Sequence, residues 1–301
     1  MDIKYHINIV SNPASGYTKT SNDIELIAQA KSLYTDVESA MNKVIEDGNY
    51  KAYIKAITFY DQFIWTNKHK PNQSNMFANP KIKVSPTWTE QLWAVVFERV
   101  RRNISSVWGH DLVLIQNKSS VECVGPNGPT AFKDVDCGIG IIKQFKTGSA
   151  IMPIVASECK TGHFCKTACT GVDSIVRRVR SMNDKVLALC ITDNNISVGK
   201  DVEVDHSFGS GGVLIQQRGI GNNKAKSNTY PKLEASQFEF VENLCIDYLL
   251  TKTATDFLNV KVSNTSGVYL REHIEDHGYY VPPHLEEFIK AKDGERLSVI
   301  F

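Results

Sequence analysis

The sequence predicts an α/β protein with a mixed central sheet flanked by helices, helical material in front of it and an appended carboxyl-terminal segment. Three observations predict this class. Two apolar runs rich in β-branched and small residues, Gly138-Ile139-Gly140-Ile141-Ile142 and Ile151-Met152-Pro153-Ile154-Val155-Ala156, are joined by the polar stretch 143–150, which contains Gly148, so they read as two strands and a turn. Val172, Ile175, Val176, Val179 and Met182 then recur at helical spacing before the almost wholly apolar run 186–192. Strand, helix and strand in that order imply a crossover with the helix packed on the sheet. Further stripes of helical period precede all of this.

Taken in order, residues 1–10 read as a short strand or arm, and 11–21 are rich in turn formers. Thr35 with Glu38 is a capping-box pattern, and Val37, Met41, Val44 and Ile45 fall at helical spacing before Gly48 stops the run. A second helix from about Tyr50 carries Tyr53, Ile54, Ile57, Tyr60 and Ile64, aromatics whose spacing suits a core better than a base-stacking platform. The polar stretch 66–83, with Pro71 and Pro80, reads as a loop. Ser85-Pro86 opens the next helix as cap and first turn, with Leu92, Trp93, Val96 and Val100 as its buried stripe and Glu90 and Arg101 off that stripe. Strands at 111–116 and 121–124 lead as a meander into the two central runs. A last sizeable helix starts at Glu234 with Phe238, Val241, Leu244, Cys245, Tyr248 and Leu249 on one side, to dock on the core or on a second subunit. The chain thus divides into a helical region 1–84, a core 85–250 and an accessory segment 251–301.

Composition bounds the function classes. With 301 residues and 42% hydrophobic residues the chain can build a real core. No run is long enough to span a membrane, and Met1-Asp2-Ile3-Lys4 lacks the order of a signal peptide, so a cytoplasmic protein is expected. Seven scattered cysteines fit reduced thiols better than a disulfide framework. The net charge of +1 neither announces nor forbids a nucleic-acid partner, because the distribution of charge decides more than its sum. Arg99, Arg101 and Arg102 form one basic group, Arg177, Arg178 and Arg180 another, and 217–232 carries Arg218, Lys224, Lys226 and Lys232 with no acid.

The chemistry concentrates around the two central runs. Asp136 stands just before the first, and the second leads through Ser157 into Glu158-Cys159-Lys160. If Asp136 lies beside the second strand, its carboxylate and that of Glu158 converge where a hard divalent cation satisfies both charges. Lys160 is two residues past Glu158, so the pleat puts the two side chains on one face. Two carboxylates on a metal, with an ammonium beside them, suit phosphodiester hydrolysis, in which the metal acidifies water and screens transition-state charge. Glu-Xaa-Lys alone also fits a solvated strand edge. Against that, the pair follows a strand that reads as buried on both faces, where ionised groups need partners.

These residues resemble the PD-(D/E)XK nuclease superfamily and, more narrowly, type II restriction endonucleases that cut CCTNAGC or CCTCAGC sites. The resemblance is carried by Thr89-Glu90-Gln91-Leu92-Trp93 through Phe97, by Val135-Asp136, by Ile154-Val155-Ala156-Ser157-Glu158-Cys159-Lys160-Thr161, and by Leu189-Cys190-Ile191-Thr192 with Val213-Leu214-Ile215-Gln216-Gln217-Arg218. It implies a PD-(D/E)XK core, with Mg2+ held by Asp136, Glu158 and the backbone carbonyl of Cys159, and water positioned by Lys160. Glu90 is a further candidate catalytic acid, with Gln91 the neighbouring register and a solvated first-turn carboxylate the plainer assignment. Val135 stands where the family has proline, which is not a ligand. The same resemblance implies in-line attack of water, 5′-phosphate and 3′-hydroxyl ends, a homodimer or a heterodimer with a related subunit, and a methyltransferase acting on the same site.

Sequence reading is expected in 213–232. There Gln216, Gln217, Arg218, Asn222, Asn223 and Lys224 suit purine edges in the major groove, and Lys226 and Lys232 suit phosphates. Arg177 and Arg178, with Arg180, are phosphate contacts or a solvated helix face. Cys159, His163, Cys165 and Cys169 match no usual zinc spacing, and His273, Asp276 and His277 read as the polar side of an exposed helix. Two rival functions stand beside restriction: a structure-specific repair nuclease or nickase, and a DNA-binding partner subunit without cleavage of its own.

Overall fold

Four helices come first, and each has a local reason to start or stop. The computed structural model describes residues 1–13, 17–69, 75–79, 81–116, 122–124, 133–145, 148–160, 183, 185–194, 213–220, 230, 232–258 and 299–300. Helix α1 (Tyr5–Ser11) occupies the stretch expected as a strand or arm. It holds because His6 and Val10 are buried against the helices that follow. Helix α2 (Ser21–Asp47) starts earlier than the Thr35 signal suggested, at a capping box in which the Thr20 amide donates to Asp23 Oδ2 at 2.8 Å and the Asp23 amide donates to Thr20 Oγ1 at 3.1 Å. It ends at Gly48, whose φ of 71° is the left-handed cap that favours glycine. Helix α3 (Tyr50–Lys68) is capped by Asn49, whose side chain accepts from the Ala52 amide.

Helix α4 (Val84–Trp108) is the centre of the molecule. It begins one residue before Ser85, so the serine is inside the helix and makes no cap. Every residue from Thr87 to Glu98 is buried, because α1, α2, α3 and a later helix pack around it while the sheet covers the remaining side. The single stripe expected from sequence is therefore too narrow, and Glu90, off that stripe, is only 2% exposed. Helix α5 (Ala235–Leu250) docks on this core and not on open surface: Phe238 stacks on Trp93 with ring centroids 4.5 Å apart and touches Tyr50 and Tyr53. A fully buried side chain of that size stabilises the fold by about 1.5–3 kcal/mol. Helix α6 (Ala254–Leu258) lays Phe257 against Trp108.

Among the described residues the main sheet has five strands. They are β1 (Leu112–Gln116), β4 (Cys137–Phe145), β5 (Gly148–Lys160), β6 (Leu187–Asn194) and β7 (Val213–Ile220), in the spatial order β1-β4-β5-β6-β7. The first three pair antiparallel and the last three parallel, so β5 is the strand where the sheet changes character. Strands β2 (Glu122–Val124), β3 (Lys133–Asp134) and β8 (Val299–Ile300) form a separate three-stranded sheet. The expected meander through 121–124 is thus corrected: that segment leaves the main sheet and returns to it at β4. The crossover helix expected at 172–182 lies outside the described residues. One hydrophobic cluster runs without a break from Val10 on α1 to Phe257 on α6. Among the described residues, no helix is long and apolar enough to cross a membrane.

Candidate active site

The site is built on the β4–β5 hairpin. Cys137, Gly138 and Ile139 face Ser157, Ala156 and Val155, after which Gly140 faces Pro153 and Ile154 is the extra residue of a bulge. A bulge is one of the few places where an interior strand accepts proline. Between Asp136 and the bulge the two backbones approach closely. A Cβ on Gly138 would lie 2.1 Å from the Val155 carbonyl oxygen, a contact no side chain tolerates.

That approach fixes Asp136. Its amide donates to the Ser157 carbonyl at 3.1 Å, and its Oδ2 accepts the Cys159 amide at 2.9 Å. The residue is 4% exposed, so backbone and side chain are both tied to β5 at the level of the Glu-Xaa-Lys segment. Glu158 is 3% exposed, and the Lys160 ammonium donates to its Oε1. Burial alone would lower the Lys160 ammonium, but the charge and hydrogen bond of Glu158 and the charge of Asp136 outweigh it and raise the group above the ordinary lysine range. Asp136, tied to β5 at Ser157 and Cys159, therefore stands beside the segment in which Glu158 holds the Lys160 ammonium.

The opposite face of β5 carries different chemistry. Strand alternation turns Ser157 and Cys159 away from Glu158 and Lys160. Cys159 Sγ lies 3.7 Å from Cys137 Sγ and 3.9 Å from Ser157 Oγ. For Cys159, hydrogen bonding with Cys137 comes first and burial second in pushing the thiol up, with Asp136 and Glu90 adding to it. For Cys137, burial leads and the same two carboxylates contribute. Glu90, on α4, adds its charge to that effect, and the thiols stay protonated, a form that binds metal poorly. The Cys137 neighbour escaped the sequence reading because only the strand register reveals it.

Two hard oxygen donors, buried and beside a cation, have the chemistry that Mg2+ takes, since that ion is held by one or two carboxylates with water and substrate oxygens completing its shell. Among the described residues, no group of three histidine, cysteine, aspartate or glutamate side chains is gathered for a metal. His163, Cys165, Cys169, His273, Asp276 and His277 lie outside those residues.

The strand register carries the site across the sheet. Lys160 faces Thr192 on β6, and Thr192 faces Gln216 on β7, so the Gln216 backbone stands in the Lys160 row. Two strand spacings separate them, about 10 Å. The side chains of Gln216, Gln217 and Arg218 and the whole of Asn222, Asn223, Lys224, Lys226, Arg177 and Arg178 lie outside what is described. Lys232 is exposed. The basic group on α4 serves the interior: Arg99 pairs with Glu242 at 3.0 Å, and Arg101 and Arg102 pair with Glu98 at 2.8 and 2.9 Å.

No family model matches the chain, and no curated protein matches it. Among solved structures it is similar to a chain of the native BbvCI A2B2 tetramer at low resolution, with 15% identity over 77% of this chain and 90% of that one and a TM-score of 0.46. A likeness of that degree decides nothing about this chain.

Proposed function

We propose that this protein is a Mg2+-dependent endonuclease of the type II restriction kind, hydrolysing double-stranded DNA at a short specific sequence to leave 5′-phosphate and 3′-hydroxyl ends. The observation that carries the reading is that buried Asp136, just before β4, is hydrogen-bonded to Ser157 and Cys159 of β5 on either side of buried Glu158, whose carboxylate holds the Lys160 ammonium. The order Asp136, then Glu158-Xaa-Lys160, and the resemblance of 89–218 to PD-(D/E)XK enzymes support it.

Asp136 and Glu158 hold the cation, with the Cys159 carbonyl as a third oxygen. When bound, the ion supplies Lewis-acid charge for the phosphodiester transition state and acidifies water. Lys160 orients that water or meets the scissile phosphate, and Glu90 is a reserve acid held on α4. Gln216, Gln217, Arg218, Asn222, Asn223 and Lys224 read bases, while Lys226, Arg177 and Arg178 take phosphates. One site cuts one strand, so duplex cleavage takes a homodimer or a related second subunit.

Incubation of the protein with plasmid and Mg2+, beside Glu158→Ala and a chelator control, tests this. Discrete fragments that vanish in both controls are expected. Nicks alone would shift the reading to a repair nuclease or to a missing subunit. Intact plasmid with tight DNA binding in both proteins would replace it with a binding partner lacking cleavage.

A further inference from the structure

Lys160 is held on Glu158, and Asp136 is tied to the same segment of β5 through Ser157 and Cys159. The Lys160 ammonium donates directly to Glu158 Oε1, and the Asp136 charge acts on it as well. Asp136 has little freedom to rearrange, because Ser157 and Cys159 hold its amide and its Oδ2. Glu158 is 3% exposed and lies on a strand paired on both sides, so its carboxylate swings only by side-chain rotation. Lys160 is the adaptable member: its side chain is 31% exposed, it ends β5, and its long stem has several rotatable bonds.

We propose that Lys160 is a resident counter-ion of the site, which a hard divalent cation must displace from Glu158 in order to bind. The idea rests on reading Asp136 and Glu158 as a metal centre, and it adds an order of events. An ammonium and a divalent cation compete for the same carboxylate oxygen at contact distance, because their like charges repel and a ligating oxygen lies about 2.0–2.1 Å from magnesium. The displaced ammonium moves toward solvent, where an incoming phosphate carries the opposite charge. Lys160 therefore serves the acids before metal enters and the phosphate afterwards, so metal loading is what presents it to substrate.

Mn2+ binding to the full chain, followed through the loss of the free-ion paramagnetic signal and needing no turnover, tests the competition. The proteins compared are wild type, Lys160→Met, Lys160→Arg and Glu158→Gln. Lys160→Met keeps the stem and removes the charge, so it is expected to bind Mn2+ about tenfold more tightly, a difference of about 1.4 kcal/mol. Lys160→Arg keeps the charge and is expected at or below wild-type affinity. Equal or weaker binding by Lys160→Met, with binding still lost in Glu158→Gln, would overturn the counter-ion role and leave the metal centre standing. Absence of any Glu158-dependent Mn2+ binding in all proteins would overturn both. Should Lys160→Met fail to fold, lysine-labelled wild type decides: the Lys160 Cε signal, assigned against Lys160→Arg, must shift with Mg2+ along the binding curve. A Lys160 signal indifferent to saturating Mg2+ sinks the proposal.

Discussion

The Cys159 amide donates to the Asp136 carboxylate at 2.9 Å, so a residue of the Glu-Xaa-Lys segment holds the acid that comes 23 positions before it. Asp136→Asn keeps an oxygen for that amide and removes the charge. It is expected to leave thermal stability within a few degrees of wild type while reducing plasmid cleavage by at least about a hundredfold, the scale of a lost electrostatic contact to the reacting centre. Asp136→Ala also strands the amide and is expected to cost about 1–3 kcal/mol of stability, read by urea unfolding.

Gly138 has no room for a methyl group, since the Val155 carbonyl oxygen would lie 2.1 Å from it. Gly138→Ala must push β4 away from β5, and overpacking of this kind costs about 1–3 kcal/mol or more. Because the same displacement loosens Asp136, cleavage should fall further than the unfolded fraction accounts for. Denaturant midpoints and cleavage rates measured on one preparation separate the two effects.

His6 gives the fold an acid sensitivity unrelated to the site. Its ring sits between Tyr60 and Thr87, 2.7 and 3.1 Å from their hydroxyl oxygens, and burial lowers the imidazole from its ordinary 6.5 to about 3. The unfolded chain takes up a proton at this residue near 6.5 whereas the folded protein does not until about 3. Stability is therefore fully present above that upper value and is lost as pH falls through the window, by about 1.4 kcal/mol per unit. Between pH 7 and pH 5 the wild type should lose about 2 kcal/mol more than His6→Gln in matched unfolding curves.

Arg99 joins three elements. Its guanidinium donates to the Val44 and Ile45 carbonyls at the end of α2 and to Glu242 on α5, and it fills the space beside Gly48. Arg99→Met leaves Glu242 buried without this partner and is expected to destabilise by about 3–5 kcal/mol. Adding Glu242→Gln should recover part of that loss. Simple additivity in the double-mutant cycle would contradict the coupling.

Much of the fold was legible because period and alternation are local signals. The strands at 112–116, 137–142, 151–160 and 187–192, and the helices around Val44, Ile57, Val96 and Val241, follow directly from side-chain spacing. Misreadings fell where distant contacts decide. Helix α1 is too short to stand on propensity and exists because His6 and Val10 are buried. The start of α2 was missed because its capping box uses Asp23 in place of the usual glutamate or glutamine. Glu90 was placed off a stripe on a helix that is buried all round, and the arginines of α4 were visible as charge while Glu98 and Glu242, their partners, were not. For the site, order and spacing were enough to expect Asp136 beside the segment that carries Glu158 and Lys160, whereas Gly138, Cys137 and the bulge at Ile154 needed the register.

The change from antiparallel to parallel pairing at β5 also orders assembly. Contacts between segments close in sequence form at lower entropic cost than those spanning long connections. Asp136, Glu158 and Lys160 all belong to the β4–β5 hairpin, while β6 must arrive across the stretch from 161 to 186 before it can pair. The acids of the candidate site are therefore expected to meet early, in a partly folded chain, where their mutual repulsion has to be borne. Lys160, carried on the same hairpin, offsets one of the two charges as they come together, which leaves a single negative charge for an outside cation to meet.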